Sequence, residues 1–518
     1  MAMEQGGSER GIRRIKADRT MEKDKEKGAG FIGLDIGTQG ARAVWINTRG
    51  EQVAAQEQAF PLSEHSRMEQ SPAMWWATCE TILKALVAEG RRKADLATVQ
   101  ALAVTSTSGT VIPLDHADEP LHPALMYSDR RAHTAAPDCE QAALAYFGDR
   151  FAYTHFNASS GLSKMVWFVR QFPDQAARIK TWAHAADYVT GKLSGVFGVS
   201  DDTNALKSGY DIFAGSWPAY LYDVLPLEKQ WLPRIVPPGS PVGFLTPELQ
   251  SRLGFEQPVQ VVAGLTDGCA SQIASGAVKV GDWNTTIGTT MVIKGVTRRP
   301  ISDPEGRLYN HRHPDYQWVA GKPEGYFMPG GAGNTGADWV TMAFKNDFEQ
   351  LAAGAEALLP SGHLAWPLCT EGERFPLFAP EARGFAPEGL SRQQLFIANM
   401  EGVAYLEKYA YQLITELSQE RVAAIYTAGG GSKSDLWLKI RCNVLNVPLY
   451  KMRYVSGAVG AAILAASKTY YSSLPEAARN LTQAEKVIQP EKPLVAAYQP
   501  LYQQFLSTLQ NKGYMNRE

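Results

Sequence analysis

Within Phe31–Asn47, two short apolar runs flank a polar turn, Gly37-Thr38-Gln39-Gly40, and Asp35 closes the first run. This pattern predicts a β-hairpin with a glycine turn at its tip. Ser71–Ala88 reads as an amphipathic helix, with Trp75, Trp76, Ile82 and Leu86 apolar. Val99–Val104 reads as a buried strand running into Ser106-Thr107-Ser108-Gly109-Thr110. Pro123–Tyr127 is extended and ends at Asp129-Arg130-Arg131, and Leu162–Phe172 is helical. Val259–Ala263 is an apolar strand that stops at Gly264-Leu265-Thr266-Asp267-Gly268, and Cys269–Ala277 continues as a helix.

Asp282–Ile293 alternates as a second hairpin, with Gly288-Thr289-Thr290 at its turn. The chemistry of the first hairpin is thus used twice, which predicts duplication of a β-rich unit. A glycine cluster, Gly330–Gly336, precedes a helix over Ala337–Phe344. Pro360–Pro387, rich in Pro, Gly and charge, reads as a long surface loop. Ser391–Glu416 reads as a long helix with Ser391 as its N-cap. Val422–Thr427 is a strand, Gly429-Gly430-Gly431 a turn, and Ser432–Leu445 a helix capped by Ser432. Gly457–Ala466 reads as a short buried helix. Strands alternate with helices throughout, so the class is α/β, with a boundary expected near Ser275.

The two glycine turns are candidate phosphate sites. Glycines let backbone N–H groups converge on an anion, and Thr38 adds a hydroxyl donor. An ordinary hairpin turn explains either one alone; two could clamp a polyphosphate from both sides. Asp35 cannot bind phosphate directly but can hold a Mg²⁺ that does. Asp267 lies just past the carboxyl end of a strand, where open α/β sheets bind ligands. There it can take the proton of an attacking hydroxyl, or simply cap the following helix. The Gly-Gly-Gly turn at 429–431 allows close approach of a flat base, with Ser434 able to hydrogen-bond adenine, or is a bare connection. His311 and His313 form a His-x-His pair with no third metal ligand nearby, which favours a loop or strand edge. Lys164 and Trp167 read as packing and surface, and Asp201-Asp202 as a solvated turn.

At 518 residues, two to four domains are expected. The apolar share of 45% and charged share of 20% belong to a globular protein. A net charge of −2 argues against nucleic acid or a membrane surface as the main partner. No window approaches the roughly 18 apolar residues of a membrane span. The five cysteines, Cys79, Cys139, Cys269, Cys369 and Cys442, are scattered, which fits a reduced, cytoplasmic setting. The mixed-charge segment at residues 1–29 reads as a disordered extension without the apolar core of a signal peptide.

The order of these motifs resembles the FGGY family of carbohydrate kinases. Gly33–Arg42 resembles its first phosphate motif, Gly264–Gly268 the segment of the catalytic aspartate, and Thr285–Thr290 the second phosphate motif. Thr427–Trp437 resembles the adenosine motif. Supporting matches are Glu69-Gln70 with Trp75-Trp76, the loop Gly372-Glu373-Arg374-Phe375-Pro376, and Met400–Ala404; the likeness runs from Gly30 to about Ala484. Where xylulokinases usually carry Gly-Gln-Met-His-Gly, this chain has Thr105–Thr110, which looks like D-ribulose kinases of the xylulokinase-like subfamily. The chain also departs from the family at Gly161, Ser434 and Asn47.

The resemblance implies two ribonuclease-H-like domains around a catalytic cleft, the superfold of actin, heat-shock chaperone ATPases and hexokinase. A sugar-binding half at residues 30–275, a nucleotide half at 276–484 and a C-terminal helical tail at 485–518 are expected. It implies ATP and Mg²⁺, a small-molecule sugar, no nucleic acid or membrane partner, and a monomer or homodimer. Asp267 would be the general base, and Asp35 would orient the metal. Asp35, Ser108, Asp129 and Asp267 would meet the sugar. Gly37, Thr38, Gln39, Arg42, Gly288, Thr289 and Thr290 would hold the phosphates. Gly331, Gly333, Gly430, Gly431 and Ser434 would cradle adenosine. The favoured reaction is D-ribulose to D-ribulose 5-phosphate. Alternatives are a xylulokinase, another pentulose or polyol kinase, or an actin- or chaperone-like ATPase acting without sugar.

Overall fold

The computed structural model describes residues 29–94, 98–148, 155–315, 326–345 and 347–515. The charged segment before residue 29 lies outside the described residues. The first sheet contains β1 (Gly30–Ile36), β2 (Gly40–Asn47), β3 (Gln52–Ala59), β4 (Val99–Ser106), β5 (Pro241–Phe244) and β6 (Gln260–Thr266), in the order β5-β6-β4-β1-β2-β3. The second contains β7 (Asp282–Ile287), β8 (Met291–Gly295), β9 (Tyr309–Arg312), β10 (Phe327–Ala332), β11 (Ala424–Gly429), β12 (Leu449–Met452) and β13 (Ala484–Ile488), in the order β9-β10-β8-β7-β11-β12-β13.

The two sheets share a plan. In the first, β1 pairs antiparallel with β2, and β2 with β3, while β4 and then β6 add in parallel on the other side. In the second, β7, β8 and β10 form the antiparallel run, and β11 and β12 add in parallel. Each sheet is the same hairpin-led unit, which is the expected duplication.

The helices that matter for the site are α1 (Pro72–Gly90), α2 (Gly161–Gln171), α3 (Asp267–Ser275), α4 (Arg392–Ser418), α5 (Asp435–Leu445), α6 (Gly457–Thr469) and α7 (Lys492–Asn511). Helix α3 leaves β6, and α6 follows β12 yet lies across β1 and β4 of the first sheet. The two helices therefore cross over at the junction. A Cβ on Gly33 of β1 would fall 1.8 Å from the Ala458 carbonyl oxygen, and one on Gly460 would fall 1.9 Å from that of Ala270. Glycine at these two positions lets the backbones touch. One apolar cluster, including Phe31, Ala103, Cys269, Ile273, Met328 and Ile463, spans both halves there. Helix α7 buries Tyr498, Tyr502, Phe505 and Leu509 in the core of the second half.

Several local expectations change. The 360–387 segment is not a simple surface loop. Its Trp366, Phe375, Leu377 and Ala382 enter the core, because apolar side chains spaced along a polar segment still gain by burial. Helix α5 is capped by Ser434, whose Oγ accepts from the Trp437 N–H, rather than by Ser432, whose hydroxyl donates to the Gly429 carbonyl. The helix expected over 337–344 is a single π-helical turn, Val340–Phe344. Asp201 and Asp202 are buried, not solvated. Asp201 accepts from the Thr203 and Asn204 backbone N–H groups and from both their side chains, so local hydrogen bonds replace its water. Lys164 is fully buried, with Nζ donating to the Gly109 and Ser159 carbonyls.

Candidate active site

Three neighbouring parallel strands, β6, β4 and β1, end at the same edge of the first sheet. The register sets Asp35 beside Thr105, and sets Leu265 and Thr266 beside Thr105 and Ser106. Asp35, Ser108 and Asp267 therefore emerge together at the carboxyl ends of adjacent strands, roughly 5 Å apart per strand. The strand ends are pinned. Thr105 Oγ1 donates to the Leu265 carbonyl at 2.8 Å, and the Thr266 N–H donates to Thr203 Oγ1 at 2.9 Å.

The charge of Asp267 reaches Asp35. Burial, then the charge of Asp267, push the Asp35 carboxyl up to about 6, against a smaller pull from Arg42. Burial also raises Asp267, opposed by the Gly268 N–H, Lys207 and Lys294. The Gly268 N–H donates to Asp267 Oδ1 at 2.7 Å, so the carboxylate is held at the first turn of α3. Thr266, not Asp267, occupies the cap position, which leaves the carboxylate available for other work. The start of α6 backs onto Asp35: a Cβ on Gly457 would lie 2.8 Å from its Oδ2. A helix N-terminus favours negative charge there.

Ser108 Oγ is buried with no hydrogen-bond partner among the described residues. A buried hydroxyl without a partner, at a strand end next to those that carry the two acids, suits a hydroxyl-bearing ligand. Asp129 differs. Its oxygens accept from Arg131 Nε and Nη2 and from the Arg131 N–H, and Arg131 also pairs with Glu69 at 2.6 Å. This carboxylate is already occupied in orienting an arginine that stacks 4.8 Å over Trp167.

The first glycine turn is closed by the Gly37 N–H donating to the Gly40 carbonyl at 2.9 Å. Gln70 Nε2 donates to the Thr38 carbonyl at 3.0 Å, and Gln70 is itself fixed by the Trp75 indole at 2.8 Å. Thr38 Oγ1 bonds Tyr127, Gln39 is exposed, and Arg42 pairs with Glu57 on the surface. The second turn repeats the closure, with the Gly288 N–H donating to the Thr290 carbonyl at 2.9 Å and Thr289 exposed. Gly429 is level with Ile287, so Gly430 and Gly288 leave adjacent strand ends. Gly430 is open, with nothing nearer its absent Cβ than 3.8 Å. Gly431 instead packs on Ile287. Gly331 makes room for the Phe375 ring, and Gly333 for the Phe375 carbonyl and Glu373, so packing accounts for these two. The Ser434 hydroxyl, while capping α5, keeps its proton for donation.

Some neighbours had no sequence signal. Lys294, on β8, is buried against Gly268, and its Nζ is 3.3 Å from His311 Nδ1. The His-x-His pair thus serves packing: His313 Nε2 meets the Val278 carbonyl at 3.1 Å. Among the described residues no cluster of three or more His, Cys, Asp or Glu can hold a metal. Nor is any helix among them long and apolar enough to cross a membrane.

Residues 31–274 match the model of the N-terminal domain of the FGGY family of carbohydrate kinases, and residues 283–469 that of its C-terminal domain. A xylulose kinase of Bacillus subtilis is 25% identical, over 91% of this chain and 95% of that protein. A gluconokinase of Bacillus licheniformis is 23% identical, over 84% of this chain and 86% of that protein. Among solved structures, a xyloylose kinase from Brucella ovis superposes with a TM-score of 0.82 at 25% identity, covering 94% of this chain and all (100%) of that one.

Proposed function

Because this chain belongs to the FGGY family of carbohydrate kinases and is an ATP-dependent sugar kinase, we propose that its acceptor is a pentulose and its reaction D-ribulose to D-ribulose 5-phosphate. The observation that carries the reading is the meeting of Asp35, Asp267 and the unpartnered Ser108 hydroxyl at three adjacent strand ends. In this reading, residues 30–275 hold the sugar and residues 276–484 the nucleotide. Asp267 accepts the proton of O5 as O5 bonds the γ-phosphorus and the β–γ bridging bond breaks to release ADP. Ser108 meets a sugar hydroxyl, which fits a pocket lacking the histidine motif of xylulokinases.

The donor set suits Mg²⁺ held mainly by substrate phosphates and water. Two buried carboxylates, the charge of Asp267 raising Asp35, lie beside a candidate phosphate turn, and among the described residues no all-protein cage is built. Asp35 would hold the metal, through water, and the metal would neutralise charge on the phosphoryl oxygens. Thr38, Gln39 and Arg42 face the outer phosphates from one side, and Gly288, Thr289 and Thr290 from the other; Arg42 would leave Glu57 to do so. Gly430 and Ser434 are the residues best disposed toward adenosine. Closure of the halves would exclude water, which competes for the phosphoryl group.

D-xylulose is the alternative acceptor, favoured by the xylulose kinase relatives. Asp267→Ala tests the mechanism. Sugar-dependent ADP release should fall about 10²- to 10⁴-fold, the usual worth of a general base. Turnover within about tenfold of the parent would remove Asp267 from that role.

A further inference from the structure

Lys294 stands on β8 of the second half, yet its side chain ends beside the residue that follows Asp267. Two glycines make room for the stem. A Cβ on Gly268 would lie 3.1 Å from Lys294 Cε, and one on Gly330 would lie 2.7 Å from its Cγ. The ammonium group is buried, 3.3 Å from His311 Nδ1, 3.7 Å from Cys269 Sγ and 5.2 Å from the centre of the Tyr309 ring. Burial first, and then Lys294 and Lys207, hold His311 well below the usual histidine range, so it is a neutral acceptor. Burial holds the Cys269 thiol above its usual range, so it too is neutral.

A buried cation with only neutral hydrogen-bond partners is costly, and a methionine of similar length would fill the space without that cost. The charge therefore needs an anion within range. Asp267 is the carboxylate in range: burial opposes the charge on both groups, Asp267 favours the charged form of Lys294 after Cys269 and Tyr309 do, and Lys294 favours that of Asp267 after the Gly268 N–H and Lys207 do.

Resting on the reading of Asp267 as general base, we infer that Lys294 is a positioning residue that places a cation behind Asp267 from across the junction of the two halves. The base is then fully supported only when β8 and α3 are in register, which ties proton acceptance to the relative setting of the halves.

A double-mutant cycle tests this on the full-length chain, with the best ketose of a panel and ATP. K294M should lower kcat about 10- to 100-fold while KM for ATP and sugar stay within about threefold. K294R should restore kcat to within about threefold of the parent. In a D267N background K294M should cost less than about twofold more, because the residue through which it acts is already gone. An equal cost in both backgrounds, or no loss of kcat in K294M, overturns the inference. Thermal unfolding, with K294Q taken through the same cycle, separates a charge effect from a folding defect. Parental turnover in D267N would bring down the base assignment first, an outcome distinct from a cycle without coupling.

Discussion

Asp35 does two things that oppose one another. Its carboxyl is raised from 3.8 to about 6, burial being the main cause, so the folded state binds its proton more tightly than the unfolded chain does. Below about pH 4 the group is neutral in both states and costs nothing. Between about 4 and 6 stability falls as pH rises, and above 6 the full cost applies, roughly 3 kcal/mol. In metal-free buffer, Asp35→Asn should therefore raise the melting temperature by a few degrees at pH 7.5, with the gain vanishing near pH 4. Calorimetry of both proteins across that range checks it; parallel pH profiles would show that Asp35 is not buried at such cost. Ser108→Ala should raise the sugar KM about tenfold and leave the ATP KM unchanged, as expected for one lost hydroxyl contact in a site that otherwise stands. Steady-state kinetics varying each substrate in turn reads both. The two acids were legible in sequence because each closes an apolar run. The engagement of Asp129 by Arg131 was not, because side-chain geometry decides whether a carboxylate is free or paired with a charge two residues on. Lys294 carried no signal either: its partners Gly268 and His311 lie on different elements, and nothing in a strand's alternation marks a lysine as buried.

At the scale of elements, the first glycine turn depends on a latch. Gln70 spans from Thr38 to Trp75 and joins the hairpin tip to α1. Gln70→Leu should raise the ATP KM several-fold with little change in the sugar KM, since it loosens only the tip; equal effects on both would argue that the latch supports the whole edge of the sheet. The junction helices are bound more rigidly. Gly33→Ala forces a Cβ to 1.8 Å from a backbone oxygen, so α6 must move. We expect a loss of roughly 3 kcal/mol or more, read by denaturant unfolding, together with lost activity, because α6 brings Gly457 against Asp35. Hairpins, strand ends and the Ser391 cap could be read from alternation and turn chemistry. Segment 360–387 could not, since composition alone does not reveal that Trp366 and Phe375 fold inward, nor that Glu373 accepts from Asn334 and Thr335. Asp201 and Asp202 were not legible either: a charged pair looks solvated, and nothing in its spelling shows that Thr203 and Asn204 turn back to bond Asp201.

At the scale of the molecule, duplication gives the two halves the same hairpin-led sheet, and the proposed function assigns them different substrates. Both hairpin-led sheets carry a glycine turn, and the first also presents Asp35, Ser108 and Asp267 at its strand ends. The helices α3 and α6, exchanged across the junction, make the relative setting of the halves depend on the same backbone contacts that support Asp35 and Asp267. Such a construction suits phosphoryl transfer, where alignment and charge neutralisation supply most of the rate. The measurement that bears most directly on the account is kcat/KM for sugar-dependent ADP release over a panel of D-ribulose, D-xylulose, other ketoses, polyols and gluconate. The account predicts D-ribulose as the best acceptor by at least about tenfold, with little ADP formed when sugar is absent. Highest efficiency on D-xylulose or gluconate, or ADP release indifferent to sugar, would contradict it.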